Sequence, residues 1–251
     1  MDKKSFELIH AELVVRRKEL LTPHYMRVYL TGDKVPLFAN TTVGINNKIL
    51  IPSAQDLPPV RRTYTHRGID LDKNEIWIDF VVHGDEGPAS AWAIAAKEGD
   101  ALEVLMKSGK MELYRNADYH LLVGDATAIP VLGAILEDLP AGAKGVGVLE
   151  VYGKEDEQEL RTQADMEMIW LHNDNPKTGS RLPDAVRQLV LPDGSRSGYV
   201  AAEFSAVKEI RHYLRKIKGW RQEELYAYSY WKAGVAEDKS LGDRRKEKEA
   251  D

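Results

Sequence analysis

The hydrophobic pattern of this chain changes near residue 115, and that change limits the folds that the sequence can adopt. Before it, apolar and polar residues alternate with a period of two, most clearly over residues 75–82, and Gly, Pro and Asp separate the runs. Several short strands of this kind predict a small antiparallel split β-barrel. Only residues 88–97 have a helical pattern there, with Pro88 in the first turn.

After residue 116, compact apolar runs alternate with helical patterns. The runs predict five strands, at 119–123, 145–151, 168–171, 198–202 and 225–231. Helical spacing predicts helices over 127–139, 182–191 and 204–218. Strands that alternate with helices indicate an α/β domain with a doubly wound parallel sheet.

These patterns predict two domains, residues 1–115 and 116–235, followed by a charged tail at 236–251. We expect the tail to form a solvated helix or to fray, because it is almost entirely charged and polar. The two domains each fall within the usual size of a folding unit.

Composition excludes several kinds of protein. The 251 residues are 43% hydrophobic and 30% charged, which is typical of a globular chain. There is no cysteine, so disulfides, thiolate nucleophiles and cysteine-ligated metals are excluded. The net charge of −5 does not favour a nucleic-acid binder. No apolar run reaches the ~20 residues of a membrane span, and residues 1–7 lack the apolar core of a secretory signal, so we expect a cytoplasmic protein.

Residues 61–67 combine three arginines, one aromatic residue and two threonines in one predicted strand. Arg62, Tyr64 and His66 would share one face, and Thr63, Thr65 and Arg67 the other. Arginine suits phosphate, and threonine can hydrogen-bond a heterocycle. Taken alone, however, the segment favours a solvated edge strand whose cations oppose surface carboxylates.

Residues 83–93 connect a strand to a helix through two glycines, Gly84 and Gly87. A helix N-terminus offers free N–H groups to an anion, and Ser90 would add a hydroxyl. A plain turn before an ordinary helix explains the segment equally well.

Two segments in the second half of the chain lie at the ends of predicted strands. Residues 123–130 hold Gly124, Asp125 and Thr127 where a nucleotide phosphate or nicotinamide would lie, although a tight turn capped by Thr127 is the alternative. Residues 226–232 form a strand that ends in aromatic residues and Lys232. Either Lys232 faces an anionic ligand, or the segment serves only to pack Trp231 and the tyrosines in the core. The seven histidines show no metal-ligand spacing, and no P-loop, nucleophile elbow or G-x-G-x-x-G motif occurs.

Together and in order, these segments resemble the siderophore-interacting protein family of flavin-dependent ferric-siderophore reductases. The resemblance covers nearly the whole chain. It rests on four stretches, at 59–65, 79–93, 122–130 and 202–232.

The resemblance implies a ferredoxin-reductase-like protein, with an FAD-binding split barrel and a nicotinamide-dinucleotide-binding domain. It assigns the flavin to residues of the first domain, which are Arg62, Thr63, Tyr64, Thr65, His83, Gly84, Pro88, Ala89, Ser90 and Trp92. It assigns the nicotinamide pocket to Gly124, Asp125, Thr127 and Ala128. Lys48, Lys232 and Arg245 would face the siderophore, and no residue beyond the flavin would be catalytic.

The implied activity is reduction of ferric siderophores, with electrons passing from NADH or NADPH through FAD to iron(III) and release of iron(II) in the cytosol. We expect a monomer that acts on a small-molecule ferric siderophore and binds neither nucleic acid nor membrane. Reduced ferredoxin remains an alternative electron donor. Two other functions also stay open, namely a general flavin or ferredoxin-type oxidoreductase with a protein acceptor, and a non-catalytic ferric-siderophore binding protein.

Overall fold

The computed structural model describes residues 7–53, 57–83, 87–236, 239–240, 242–244 and 246. The chain divides into two compact units, residues 1–113 and 114–251. Each unit has its own hydrophobic core.

The first unit is a curled antiparallel sheet with one α-helix. Its elements are β1 (Leu8–Thr22), β2 (Tyr25–Thr31), β3 (Asn46–Ile51), β4 (Val60–Thr65), β5 (Gly68–Asp70), β6 (Glu75–Val81), α1 (Pro88–Ala95) and β7 (Ala101–Lys107). The strand order is β4-β3-β7-β1-β2-β6-β5. The antiparallel barrel expected from the alternating pattern is confirmed.

Strand β1 is longer than the run of alternating residues at 6–15 predicts. Two irregularities, between Val15 and Arg17 and between Leu20 and Thr22, let it continue opposite β2. Past the first of them, Arg17 binds the Glu75 carboxylate with an N–O distance of 2.5 Å, and its guanidinium lies 3.3 Å from the centre of the Tyr29 ring. Cross-strand contacts rather than alternation therefore hold this charged half of the strand.

The second unit contains a five-stranded parallel sheet. Its strands are β8 (Tyr119–Asp125), β9 (Lys144–Val151), β10 (Asp165–His172), β11 (Arg196–Glu203) and β12 (Leu225–Trp231), in the order β10-β9-β8-β11-β12. The helices are α2 (Ile129–Asp138), α3 (Leu182–Gln188) and α4 (Phe204–His212). The doubly wound fold is confirmed, and the strand order reverses between β8 and β11, where such sheets bind ligands.

Three predicted helices begin or end differently in the structure. The first turn expected at residue 127 is a 3-10 turn, Ala126–Ala128, and α2 starts after it. The helix expected over 182–191 ends at Gln188, and the one expected over 204–218 ends at His212 and continues as a π-helical segment, Tyr213–Ile217. Hydrophobic spacing does not distinguish these tighter and wider turns from an α-helix.

The expectation of a solvated C-terminal tail is wrong for two residues that the structure describes. The described residues after 238 are helical, and Ser240 and Arg244 are buried. The Arg244 guanidinium donates to the carbonyl oxygens of Ser229 and Tyr230, at 3.2 and 2.6 Å, so this part of the tail docks on β12. Among the described residues, no helix is long and apolar enough to cross a membrane.

His66, which follows β4, is fully buried 6.1 Å from the ring of Phe38, and neither ring nitrogen has a hydrogen-bond partner in the described structure. Burial, helped by the charge of Lys110, lowers the pKa of His66 to about 4. An unfolded chain holds its histidines near a pKa of about 6.5, so the unfolded state takes up the proton first as the pH falls. His66 therefore stabilises the fold above that pH, and the contribution is lost as the pH falls towards 4.

We expect this loss to disappear in a His66→Phe variant. Between about pH 6.5 and pH 4, the free energy of unfolding of the wild type should fall by about 3 kcal/mol more than that of the variant. Urea unfolding of both proteins at several pH values measures the difference. A difference that does not change with pH would mean that folding does not lower the pKa of His66.

Candidate functional site

Strand β4 carries the cationic and aromatic residues predicted to bind a flavin, and its pairing with β3 fixes where they point. Tyr64 lies opposite Asn47, Thr63 opposite Lys48, and Arg62 opposite Ile49. Because directly opposed residues share a face of the sheet, Arg62 and Tyr64 lie on one face, with Thr63 and Thr65 on the other.

An aromatic row follows from Tyr64. Its ring packs on Phe80, with the ring centres 4.5 Å apart, and Phe80 packs on Trp92 of α1 at 5.7 Å. The structure therefore brings together Tyr64 and Trp92, which were predicted from separate segments. Phe80, the buried residue between them, was not predicted as part of the site.

Lys48 and Thr63 are direct neighbours on the opposite face. The Lys48 ammonium donates to the Thr63 hydroxyl across the strand pair. A residue predicted to face the siderophore thus adjoins one predicted to face the flavin, and Thr65 lies on the same face two positions further along β4.

The start of α1 is arranged around His83, Gly87 and Ser90. The His83 N–H donates to the Ser90 hydroxyl at 3.1 Å, and Pro88 occupies the first turn. A Cβ added to Gly87 would approach the His83 ring to 3.3 Å, so glycine suits this close approach. Ala89 and Ser90 are buried, and the predicted residue Gly84 lies outside the described residues.

Asn47 is a buried polar residue that the sequence did not single out. Its side chain is 1% exposed, and its amide nitrogen and oxygen make no hydrogen bond in the described part of the chain. A buried amide is usually paired, and nothing in the pattern of β3 shows that this one is not. The face that carries Arg62 and Tyr64 therefore contains an amide nitrogen and an amide oxygen that have no hydrogen-bond partner in the described part of the chain.

This donor set suits FAD. A guanidinium and the N–H groups of a helix start are suited to a diphosphate, and an aromatic ring is suited to the flat face of a flavin or an adenine. Hydroxyl and amide groups supply the donors and acceptors that the edge of a flavin ring needs.

In the second unit, the residues predicted to bind the nicotinamide lie at the end of β8, where the strand order of the parallel sheet reverses. Gly124 is packed so closely that an added Cβ would lie 2.5 Å from Cβ of Ala128 and 2.9 Å from the Ala201 carbonyl oxygen. Only glycine fits there, which keeps the turn after β8 tight against β11.

Asp125 ends β8 and organises this turn. Its Oδ1 accepts hydrogen bonds from the backbone N–H and the hydroxyl of Thr127, at 2.9 and 2.5 Å. Its Oδ2 accepts one from the indole N–H of Trp231, at 2.7 Å. Burial raises the pKa of Asp125 to about 6, although the hydrogen bonds from Thr127 and Trp231 oppose the rise.

Two further buried carboxylates lie at strand ends and tie down the loops that follow. Glu150 of β9 accepts hydrogen bonds from the N–H of Arg181, at 2.6 Å, and from the Asn173 side chain. Glu203 of β11 accepts from the N–H of Ser205, at 2.6 Å, and from the N–H of Ala233, at 3.2 Å. Sequence analysis gave neither residue a role, although each is an acidic residue near the end of an apolar run and Glu203 lies in the stretch 202–232 that carries the resemblance.

Lys232 directly follows β12. Its ammonium lies 2.7 Å from a carboxylate oxygen of Asp243 and 4.7 Å from the centre of the Phe204 ring. The structure therefore gives a carboxylate partner to a residue predicted to face an anionic substrate. Arg245, predicted for the same role, lies outside the described residues.

No group of three or more potential metal ligands from His, Asp and Glu occurs in the part of the chain that the structure describes. The sequence analysis had considered only the spacing of the histidines along the chain, which is a separate question from grouping in space.

Both halves of the chain match family models. Residues 117–234 match the siderophore-interacting protein model, and residues 53–111 match the siderophore-interacting FAD-binding domain model. The ferric vibriobactin reductase ViuB of Vibrio cholerae is 34% identical over 241 residues, which cover 88% of this chain and 89% of that protein.

Solved structures agree with this similarity. A siderophore utilization protein from T. fusca is 29% identical and superposes with a TM-score of 0.84, covering 92% of this chain and 97% of that one. The siderophore-interacting protein SipS from Aeromonas hydrophila is 28% identical, with a TM-score of 0.83 and coverage of 94% and 97%. A ferredoxin NADP+ reductase from Neisseria gonorrhoeae, 12% identical with a TM-score of 0.63 and coverage of 88% and 98%, shares the fold.

The ViuB similarity extends over nearly the full length of both proteins, and the gap between the two family matches, residues 112–116, falls between the two sheets. The resemblance read from the motifs is thereby confirmed, and the chain belongs to the siderophore-interacting protein family, with residues 53–111 of its antiparallel half matching the FAD-binding domain of that family.

Proposed function

We propose that this protein reduces iron(III) held by a siderophore, with NADH or NADPH as electron donor and FAD as the group between them. The observation that carries the proposal is the near full-length similarity to a ferric vibriobactin reductase. The donor set of β4 and α1 supports it, because it suits FAD, and electron transfer through a flavin needs no general acid or nucleophile from the protein.

Iron chemistry explains why a reductase would need so little from the protein. Oxygen ligands hold iron(III) much more tightly than iron(II), so reduction releases the metal and leaves the chelator intact. Bound FAD accepts hydride from a nicotinamide and passes on single electrons, which matches a two-electron donor to a one-electron acceptor.

The residues of the chain would bind and orient. Arg62 would pair with the diphosphate of FAD, Tyr64 would pack against the ring or ribose, and Thr65 would hydrogen-bond near the N5 edge. Thr63, His83, Gly84, Pro88, Ala89, Ser90 and Trp92 would complete the site. Gly124, Asp125, Thr127 and Ala128 would frame the nicotinamide, where Asp125 acts by holding Thr127 and Trp231 in place.

Lys48, Lys232 and Arg245 would attract the ferric chelate. A few cations suffice despite the net charge of −5, because the local potential steers a charged ligand. Iron(II) would be released in the cytoplasm, and the protein would act as a monomer.

Removing the diphosphate partner should weaken flavin binding. Arg62→Ala should raise the dissociation constant for FAD about ten- to a hundredfold, since charge-assisted hydrogen bonds contribute about 1.5–3 kcal/mol. Thr65→Ala should lower the reductase rate and flavin retention to a smaller extent. Fluorescence titration of apoprotein with FAD measures the constants.

Arg61→Ala is the matched control for these variants, because Arg61 is the exposed neighbour on the same strand. It should bind FAD as the wild type does. If the Arg62 and Thr65 variants also keep full flavin and normal turnover, the assignment of β4 is wrong.

Removing a lysine should affect the chelate and not the flavin. Lys48→Ala and Lys232→Ala should each raise KM for an anionic ferric chelate several-fold at low salt, because a local attractive charge is lost. Stopped-flow reduction of the flavin by nicotinamide should be unchanged. Lys208→Ala, at an exposed position of α4, is the control and should change neither quantity.

A spectral titration separates the proposed reductase from the other two functions. Under anaerobic conditions, NADH or NADPH should bleach the oxidised flavin bands, and a ferric siderophore should restore them while an indicator traps iron(II). A protein that binds chelate without any response to nicotinamide would be a binding protein. Flavin that is bleached but not reoxidised by any ferric chelate would indicate a protein acceptor.

A further inference from the structure

The ammonium of Lys232 is already engaged by a carboxylate of its own chain. Lys232 Nζ lies 2.7 Å from Oδ2 of Asp243, and the two side chains are 29% and 56% exposed. The hydrogen bond and charge of Lys232 lower the pKa of Asp243, so the carboxylate is ionised at neutral pH. An anion approaching Lys232 from solvent meets a cation that already has an anionic partner.

The position of Asp243 is fixed by its neighbours. Arg244, the next residue, is 3% exposed and donates to the carbonyl oxygens of Ser229 and Tyr230, three and two residues before Lys232. Ser240 is also buried. A long charged side chain is seldom buried unless it is paired, so the buried guanidinium anchors this segment on β12 and holds Asp243 beside Lys232.

Lys232 is held from its own side as well. A backbone bridge to Val235 closes a tight turn that includes Gly234 in the left-handed region, at φ 71°. The ammonium also lies 4.7 Å from the centre of the Phe204 ring, a favourable place for a cation. Both partners of the ion pair are thus set by local structure.

We propose that Asp243 competes with the ferric chelate for the ammonium of Lys232. The chelate displaces the Asp243 carboxylate when it binds, and the carboxylate returns when the chelator leaves. The proposal rests on the proposed function, because it takes Lys232 as a substrate-binding residue. The chemistry is an exchange of anions on one ammonium. Asp243 therefore sets the affinity for strongly anionic chelates, such as ferric tris-catecholates, and has little effect on uncharged ones, such as ferric tris-hydroxamates.

The expected size of the effect follows from the exposure of the pair. Ion pairs that are open to solvent are weak, and the free energy of this one corresponds to about a two- to fivefold change in an equilibrium constant. Competition of that strength lowers affinity without preventing turnover. It also favours release of the chelator once the iron has been reduced.

Binding of gallium(III) complexes tests the proposal independently of reduction, because gallium(III) matches iron(III) in charge but is not reduced. Asp243→Asn should tighten binding of the gallium tris-catecholate about two- to fivefold in isothermal titration calorimetry of the flavin-loaded protein. It should leave binding of the uncharged gallium tris-hydroxamate within error. The KM for the ferric tris-catecholate should fall by the same factor.

A double-variant cycle shows whether the effect passes through Lys232. In a Lys232→Met background, Asp243→Asn should no longer change tris-catecholate binding. Asp184→Asn is the control, because Asp184 is an exposed carboxylate paired at 2.7 Å with Arg187 on α3, and it should leave all these constants unchanged.

The outcomes separate the two proposals. Unchanged gallium tris-catecholate binding in Asp243→Asn, or an equal effect in the Lys232→Met background, overturns the role of Asp243. If the gallium complex binds as described but no ferric chelate is reduced, the proposed function fails and the competition at Lys232 stands. No binding of either complex by wild type or Asp243→Asn overturns both.

Discussion

Neighbouring side chains of a β-strand point to opposite faces, and this alternation along β4 decides which groups can act together at the proposed flavin site. Arg62 and Tyr64 share the face that leads through Phe80 to Trp92. Thr63 and Thr65 share the other face with Lys48. A shift of one residue in the pairing of β3 with β4 would exchange the two sets, so the register of one strand pair carries the flavin assignment.

In the parallel sheet, buried carboxylates at the strand ends hold the loops at the edge where such sheets bind ligands. Asp125, Glu150 and Glu203 each accept backbone N–H groups from the segments that follow their strands or lie next to them. These buried carboxylates are largely consumed in positioning. In the proposed function, Asp125 is therefore a positioning residue, which acts through Thr127 and Trp231.

The sequence predicted the features that depend on local pattern. The change from period-two alternation of apolar and polar residues to strands followed by helices identified both sheets. The strand predicted over 225–231 coincides with β12. Features that depend on contacts between residues far apart in the sequence were not predicted. The charged run Arg16–Leu20 shows no alternation, yet it continues β1 because Glu75 and Tyr29 lie opposite. The bond between Asp125 and Trp231 joins residues 106 positions apart.

The same reason explains why the carboxylate partner of Lys232, a residue that the sequence analysis placed facing an anionic ligand, was not predicted. A segment as polar as residues 236–251 has no period that predicts docking, so neither the burial of Arg244 nor the pairing of Asp243 with Lys232 could be expected. Residue type and the family resemblance singled out Lys48 and Lys232 as candidate cations. Only the structure shows that Lys48 is bonded to Thr63 and that Lys232 is bonded to Asp243.

The central claim is that iron reduction is coupled to nicotinamide oxidation, and its stoichiometry under anaerobic conditions tests that claim most directly. The account predicts that about two iron(II) ions are trapped for each nicotinamide oxidised, because hydride carries two electrons and each iron takes one. Nicotinamide oxidation that needs oxygen and yields no iron(II) from any ferric siderophore would contradict it.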